Sequence, residues 1–200
     1  PRRWKTASAR VEHPEAESRV LSELARALDA LVERRRATIL LLPLQGHPGD
    51  DAAVCREVAA RMTHAADARV LPAPANAEAA ADVLASCQLV VGMRLHSLIL
   101  AAASAVPFYG LEYMPKVRFF AEQVGATRWT AGLQRAAAGG HLSAELLAAL
   151  DAGPARRATL ERVAGILRRL ALLNGRLLAA LLSDRSQLPA LGAQAHDLQL

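Results

Sequence analysis

Along residues 15–36, Val20, Leu21, Leu24, Leu28, Leu31 and Val32 recur at helical spacing with charges between them, which predicts an amphipathic helix. The continuous run Ala37-Thr-Ile-Leu-Leu-Leu-Pro43 has the pattern of a strand covered on both faces, and so of a parallel sheet. Turn chemistry follows in Gln45-Gly-His-Pro-Gly-Asp-Asp51, with Asp50 or Asp51 suited to cap a helix reaching about residue 63. A short strand at 69–72 comes next, then a short helix within 74–86 whose Ala79, Val83 and Leu84 can face the sheet. Strand and helix keep alternating to residue 125, which predicts an α/β fold of the Rossmann-like kind, built on a parallel sheet.

The stretch 88–117 holds the densest chemistry. Gln88-Leu-Val-Val-Gly-Met-Arg-Leu-His-Ser-Leu-Ile-Leu reads as a buried strand, a tight turn and a helix opening with Arg94 and His96. After an alanine-rich run, 107–111 reads as a second buried strand, and 115–124 as a helix carrying Val117, Phe119, Phe120 and Val124, stopped by Gly125. Gly92, with no Cβ, suits the sharp strand-to-helix turn and close approach by a ligand. Arg94 and His96 fall in the first helical turn, where unpaired N–H groups and the positive dipole end favour an anion. Arg94 can clamp a carboxylate or phosphate through two parallel hydrogen bonds, and His96 can give or take a proton near neutral pH. A solvated arginine and a satisfied histidine beside the sheet would give the same three residues.

If the sheet is parallel, the loop carrying Lys116 emerges at the same edge as the Gly92 turn, so two cations converge there. Tyr113 could donate to a ligand or simply pack with a wet hydroxyl. Glu112 could accept a sugar hydroxyl or pair with Lys116 or Arg118. Gln45, His47 and the Asp50-Asp51 pair, at the carboxyl end of the first strand, are second-rank candidates, and a solvated turn with caps explains them equally well. The chain has no GxGxxG and no GxxxxGK[ST], so dinucleotide and P-loop readings fail at the motif level.

From residue 139 the pattern becomes helical only: 143–150, then roughly 155–182 with Leu160, Val163, Leu167, Leu170, Leu177 and Leu181 on one side and arginines 156, 157, 162, 168, 169 and 176 on the rest. A basic amphipathic helix can lie on a membrane surface; its ordinary alanine-rich make-up favours covering its own domain or a partner domain. The resulting organisation is a Rossmann-like donor-binding domain over 1–138, a helical extension over 139–183 and a poorly ordered tail over 184–200.

Composition narrows the function classes. Aromatics make up 4% against 52% apolar residues, which favours helices on a small-residue sheet over an all-β barrel. The net charge of +5, almost wholly from arginine, suits anionic ligands, but no aromatic-interleaved basic patch points to nucleic acid. Cys55 and Cys87 lack CxxC spacing and read as buried thiols of a reducing compartment, and the six histidines form no HExxH or HxxxH pair, so no metal site is expected. No signal peptide or spanning segment is visible, so the expected place is the cytoplasm, including the inner face of the membrane, where the basic helix could make peripheral contact. The chain starts at Pro1 without Met and reads as a fragment of a longer protein.

Several blocks together carry a resemblance: Val91-Gly-Met-Arg-Leu-His-Ser-Leu-Ile-Leu-Ala-Ala-Ala, Val106-Pro107, and Tyr113-x-Pro-Lys-Val117 followed by Phe120-Ala121 and Gly125, with Leu42-Pro-Leu-Gln45, Asp50-Asp51 and Arg3-Trp4 upstream. This run, over 3–125, resembles the bacterial polysaccharide pyruvyl transferase family, CsaB type. The resemblance implies a GT-B-like architecture of two Rossmann-like halves, of which this chain is similar to the C-terminal one and needs an N-terminal half as partner. It implies transfer of a pyruvyl group from phosphoenolpyruvate, with no cofactor, to two hydroxyls of a cell-wall polysaccharide sugar, often N-acetylmannosamine, as a cyclic ketal. On this sequence the donor-handling roles fall to Arg94 and His96, with Lys116 beside them. One departure stands out: Met114 occupies the place where the family pattern Tyr-Asp-Pro-Lys has Asp, and a methionine is neither a useful hydrogen-bond acceptor nor a base. Two other classes use the same edge: a GT-B glycosyltransferase half that binds a nucleotide sugar, and a non-catalytic sugar-binding or interaction module.

Overall fold

The computed structural model describes residues 14–45, 51–183, 189–191 and 194; Arg3-Trp4, His47, Asp50 and most of the 184–200 tail lie outside them. Helix α1 (Pro14–Arg35) has Glu15 and Glu17 in its first turn and Arg34 and Arg35 in its last, which complements the helix dipole at both ends. It stops at Arg36, whose φ of 52° is left-handed. Strand β1 (Ile39–Leu41) is shorter than the 37–43 run suggests, because its partner β2 (Ala68–Val70) offers only three residues. The two pair in parallel, Ile39 opposite Ala68 and Leu41 opposite Val70, and α2 (Asp51–Arg61) connects them.

The second sheet holds β3 (Val90–Gly92), β4 (Phe108–Glu112) and β5 (Thr130–Gly132) in that order, all parallel. Helix α3 (Ala77–Ala85) precedes it, α4 (Leu95–Ala103) joins β3 to β4, and α5 (Pro115–Gln123) joins β4 to β5. Mixed α/β architecture with parallel sheets is therefore observed, consistent with a Rossmann-like fold. Strand β5 and the following short α6 (Leu133–Ala136) were not among the expected elements: three residues containing Thr and Gly leave no apolar run to read.

Strand β4 shows why both faces are apolar. Tyr109 and Leu111 enter a core with α1, Val58, Met62 and α7 (His141–Asp151), whereas Phe108 enters a second core with α4, α5 and α8 (Gly153–Ser183). A Cβ on Gly110 would lie 3.1 Å from Thr130 Cγ2 and from Val117 Cγ1, so the second face admits only glycine without displacement there. Polar staples fix the outer helices. Glu23, buried in α1, accepts a hydrogen bond from Gly140 N at 3.0 Å, and Asp29 accepts from Thr63 N and His64 N at 2.9 Å each. Arg35 donates to Asp151 at 2.9 and 2.7 Å, tying α1 to α7.

Helix α8 begins as a cover for the sheet. Leu160 and Val163 are buried in the second core, and Arg156 donates to Phe108 O at 2.6 Å with its guanidinium 4.4 Å from the Trp129 ring centroid. Burial pushes that guanidinium down to about 10, still charged at neutral pH. The Tyr109 hydroxyl donates to Glu145, which also accepts from Arg135; burial first, then Glu145, raises the phenol far above its ordinary range. Among the described residues no helix is long and apolar enough to cross a membrane.

Candidate functional site

Parallel pairing puts the carboxyl ends of β3 and β4 at one edge, with Gly92 two positions short of Arg94 and Glu112 opposite Gly132. Gly92 is required by the turn itself: a Cβ there would sit 2.3 Å from Ser97 Oγ and 2.7 Å from Leu98 Cδ2. Ser97 Oγ meanwhile donates to Arg94 O at 2.6 Å, and Ser97 N to the same carbonyl at 3.0 Å, so the strand-to-helix corner closes on a buried serine. Arg94 is the N-cap of α4 and His96 its second residue, as the sequence predicts.

Arg94 has a partner the sequence did not reveal. Its Nη2 donates to Asp51 Oδ1 at 2.6 Å and its Nε to Asp51 Oδ2 at 3.3 Å, with the two side chains 30% and 19% exposed. Gln45 N donates to the same Oδ2 at 3.0 Å, so Asp51 joins the end of β1 to the end of β3. Gln45 thus contributes its backbone to the edge, while Asp51 is the first residue of α2. The ion pair occupies only the Nε–Nη2 side of the guanidinium. The Nη1 side, with its own hydrogens, is not used in it.

His96 is exposed, and among the described residues it has no hydrogen-bond or ion-pair partner, which leaves its imidazole open to a ligand. Lys116, also exposed, is the second residue of α5 and lies 5.7 Å from the centroid of the Tyr113 ring, which is half-buried against the second core. Glu112 pairs with Arg118 rather than Lys116, accepting from Nε at 3.0 Å and Nη2 at 2.8 Å. Burial acts to raise the Glu112 carboxyl, but the bonds from Arg118 and Thr130 and the Arg118 charge outweigh it and hold the group below its usual range. The pairing leaves Lys116 as the lysine at this edge whose charge Glu112 does not engage.

Met114 occupies the N-cap of α5 with extended backbone, φ −146° and ψ 150°, and its side chain makes no capping hydrogen bond. Pro115 stands at the first helical position, where its missing N–H costs nothing. Among the described residues no three His, Cys, Asp or Glu side chains are grouped to hold a metal ion. What the edge offers chemically is a carboxylate-held arginine, a lysine, two helix N-termini and an open imidazole.

A sequence model of the family described as Polysaccharide pyruvyl transferase matches residues 5–114, just over half of the chain. The match takes in β1, Asp51, Arg94, His96 and β4 and stops before Lys116. Neither curated proteins nor solved structures give a match.

Proposed function

The chain belongs to the polysaccharide pyruvyl transferase family, and from that premise we propose that its carboxyl sheet edge binds phosphoenolpyruvate and transfers the pyruvyl group to a cell-wall polysaccharide sugar as a ketal. The reading takes the chain as CsaB type, acting in the cytoplasm as the C-terminal, donor-binding half of a GT-B-like enzyme. The observation that carries it is the family match together with Arg94 and Lys116 at the N-termini of α4 and α5 on one edge, beside an open His96.

Phosphoenolpyruvate carries a carboxylate and a phosphate. Arg94, oriented by Asp51, and Lys116 supply one cation for each, with the amides of the two helix starts behind them. A first sugar hydroxyl attacks C2 while protonated His96 gives its proton to the methylene carbon, which becomes the methyl group. The hydroxyl proton returns to the imidazole. The second hydroxyl then attacks C2, the C–O bond to phosphate breaks, and the remaining proton leaves with the phosphate. Gly92 keeps the turn close to the donor, while Gln45, Tyr113 and Glu112 border the acceptor side.

A non-catalytic sugar-binding module is the second reading, favoured by Met114 in place of an acceptor side chain. A thermal-shift series on the full-length protein separates the readings. Phosphoenolpyruvate at about 100 times its Kd raises Tm by roughly 5–11 °C for a chain of this size, and UDP- and GDP-sugars do not. Stabilisation by a nucleotide sugar alone would instead assign a glycosyltransferase half. Stabilisation by a sugar acceptor without phosphoenolpyruvate would assign the binding module.

A further inference from the structure

Helix α8 carries the same apolar face at its two ends, interrupted by Asn174, but covers it only at the start. Leu160, Val163 and Ala164 are buried at 3%, 9% and 8% exposure. Eighteen residues later, about five turns of helix and so the same face, Leu178, Leu181 and Leu182 are 58%, 49% and 81% exposed. The short segment 189–191 leaves them exposed: Leu191 packs with Leu173, Ala180 and the partly buried Leu177, to one side of that face. The adjoining sector carries Arg168, Arg169 and Arg176 around the exposed Leu172, and residues 162–183 contain no acidic side chain at all.

We propose that the distal half of α8, residues 168–183, is a membrane-surface segment that lies along an anionic bilayer. The leucines enter the headgroup–acyl boundary and the three arginines bind lipid phosphates from the flank, their stems running along the apolar layer. Charge selects this occupant. In a second copy of the chain, packing leucine face to leucine face would bring arginines together with no carboxylate from 162–183 to offset them, whereas an anionic lipid surface attracts each one. A leucine face that merely continued a protein core would not need an arginine flank free of acids.

Vesicle sedimentation of the full-length protein tests this. Wild type is expected to pellet with phosphatidylglycerol-containing vesicles, to stay in the supernatant with pure phosphatidylcholine, and to be released by high salt. Combined Leu178→Glu and Leu182→Glu abolishes pelleting. Arg168→Gln, Arg169→Gln and Arg176→Gln together weaken it on the order of 100-fold. All of these positions are on the surface, and an unchanged circular-dichroism melt verifies that the variants fold. Three results would overturn the proposal: wild type staying soluble with phosphatidylglycerol vesicles, pelleting that survives the double glutamate variant, or a dimer in light scattering that the double variant dissolves. None of them bears on donor binding at the sheet edge.

Discussion

Asp51→Asn removes the charge that holds Arg94 while keeping the size of the side chain and one acceptor oxygen. The pair is neither a solvated surface bridge, worth 0–1 kcal/mol, nor a buried one whose breakage costs 3–5 kcal/mol; at 30% and 19% exposure its loss costs about 1–2 kcal/mol. Asp51 also sits in the first turn of α2, where a carboxylate gains about 0.3–1 kcal/mol from the helix dipole. A total near 2 kcal/mol lowers Tm by roughly 4–8 °C in a chain of this size. The larger interest is in the ligand. With Nε and Nη2 fixed on the carboxylate, the guanidinium has one orientation, and losing it weakens phosphoenolpyruvate binding by about tenfold. Titration calorimetry at fixed salt on wild type, Asp51→Asn, Arg94→Gln and the double variant gives a coupling of about 1 kcal/mol or more between the two positions. If Asp51→Asn binds phosphoenolpyruvate as tightly as wild type, or more tightly, the reasoning is refuted, because Asp51 then competes for Arg94 rather than orienting it.

Three further outcomes follow from the same geometry. Met114→Asp supplies the missing cap of α5 and raises stability by about 0.5–2 kcal/mol, read as a higher Tm; no gain would mean that the side chain cannot reach the first-turn amides. Gly92→Ala drives a methyl into Ser97 Oγ and Leu98 and costs about 1–3 kcal/mol in chemical denaturation, and adding Ser97→Ala recovers part of it. The Glu112 carboxyl is held low in the folded state, so its contribution is present above the unfolded carboxylate value of about 4.3 and is lost as pH falls through the folded value. With Arg118 well exposed that contribution is about 0.5–1 kcal/mol, and the difference between wild type and Glu112→Gln in denaturation should shrink on acidification rather than grow.

How much of this was legible in the sequence depends on the range of the interaction. The apolar pattern located α1 and α5 to within a residue of their bounds, since each carries its core stripe in its own sequence. Strand β5 escaped because its stability comes from pairing with β4, Gly110 to Thr130 and Glu112 to Gly132, and not from its own side chains. Arg94 and His96 were placed correctly by the Gly92 turn, a local device. The Asp51 contact needed the tertiary fold to carry the start of α2 to the turn after β3, and nothing at either position announces it. Helix α8 shows the opposite limit: Leu160 and Leu181 look alike in a helical pattern, yet one is buried in the second core and the other is half exposed, because the pattern does not record where the sheet ends.

The central claim is that His96 moves the proton and Arg94 holds the donor. Phosphate release from phosphoenolpyruvate by the full-length protein, with an N-acetylmannosamine-containing acceptor, measures it directly. His96→Ala should leave the Kd for phosphoenolpyruvate near wild type and lower turnover by about 10²–10⁴, whereas Arg94→Ala should weaken donor binding as well. Wild-type turnover in His96→Ala would contradict the account.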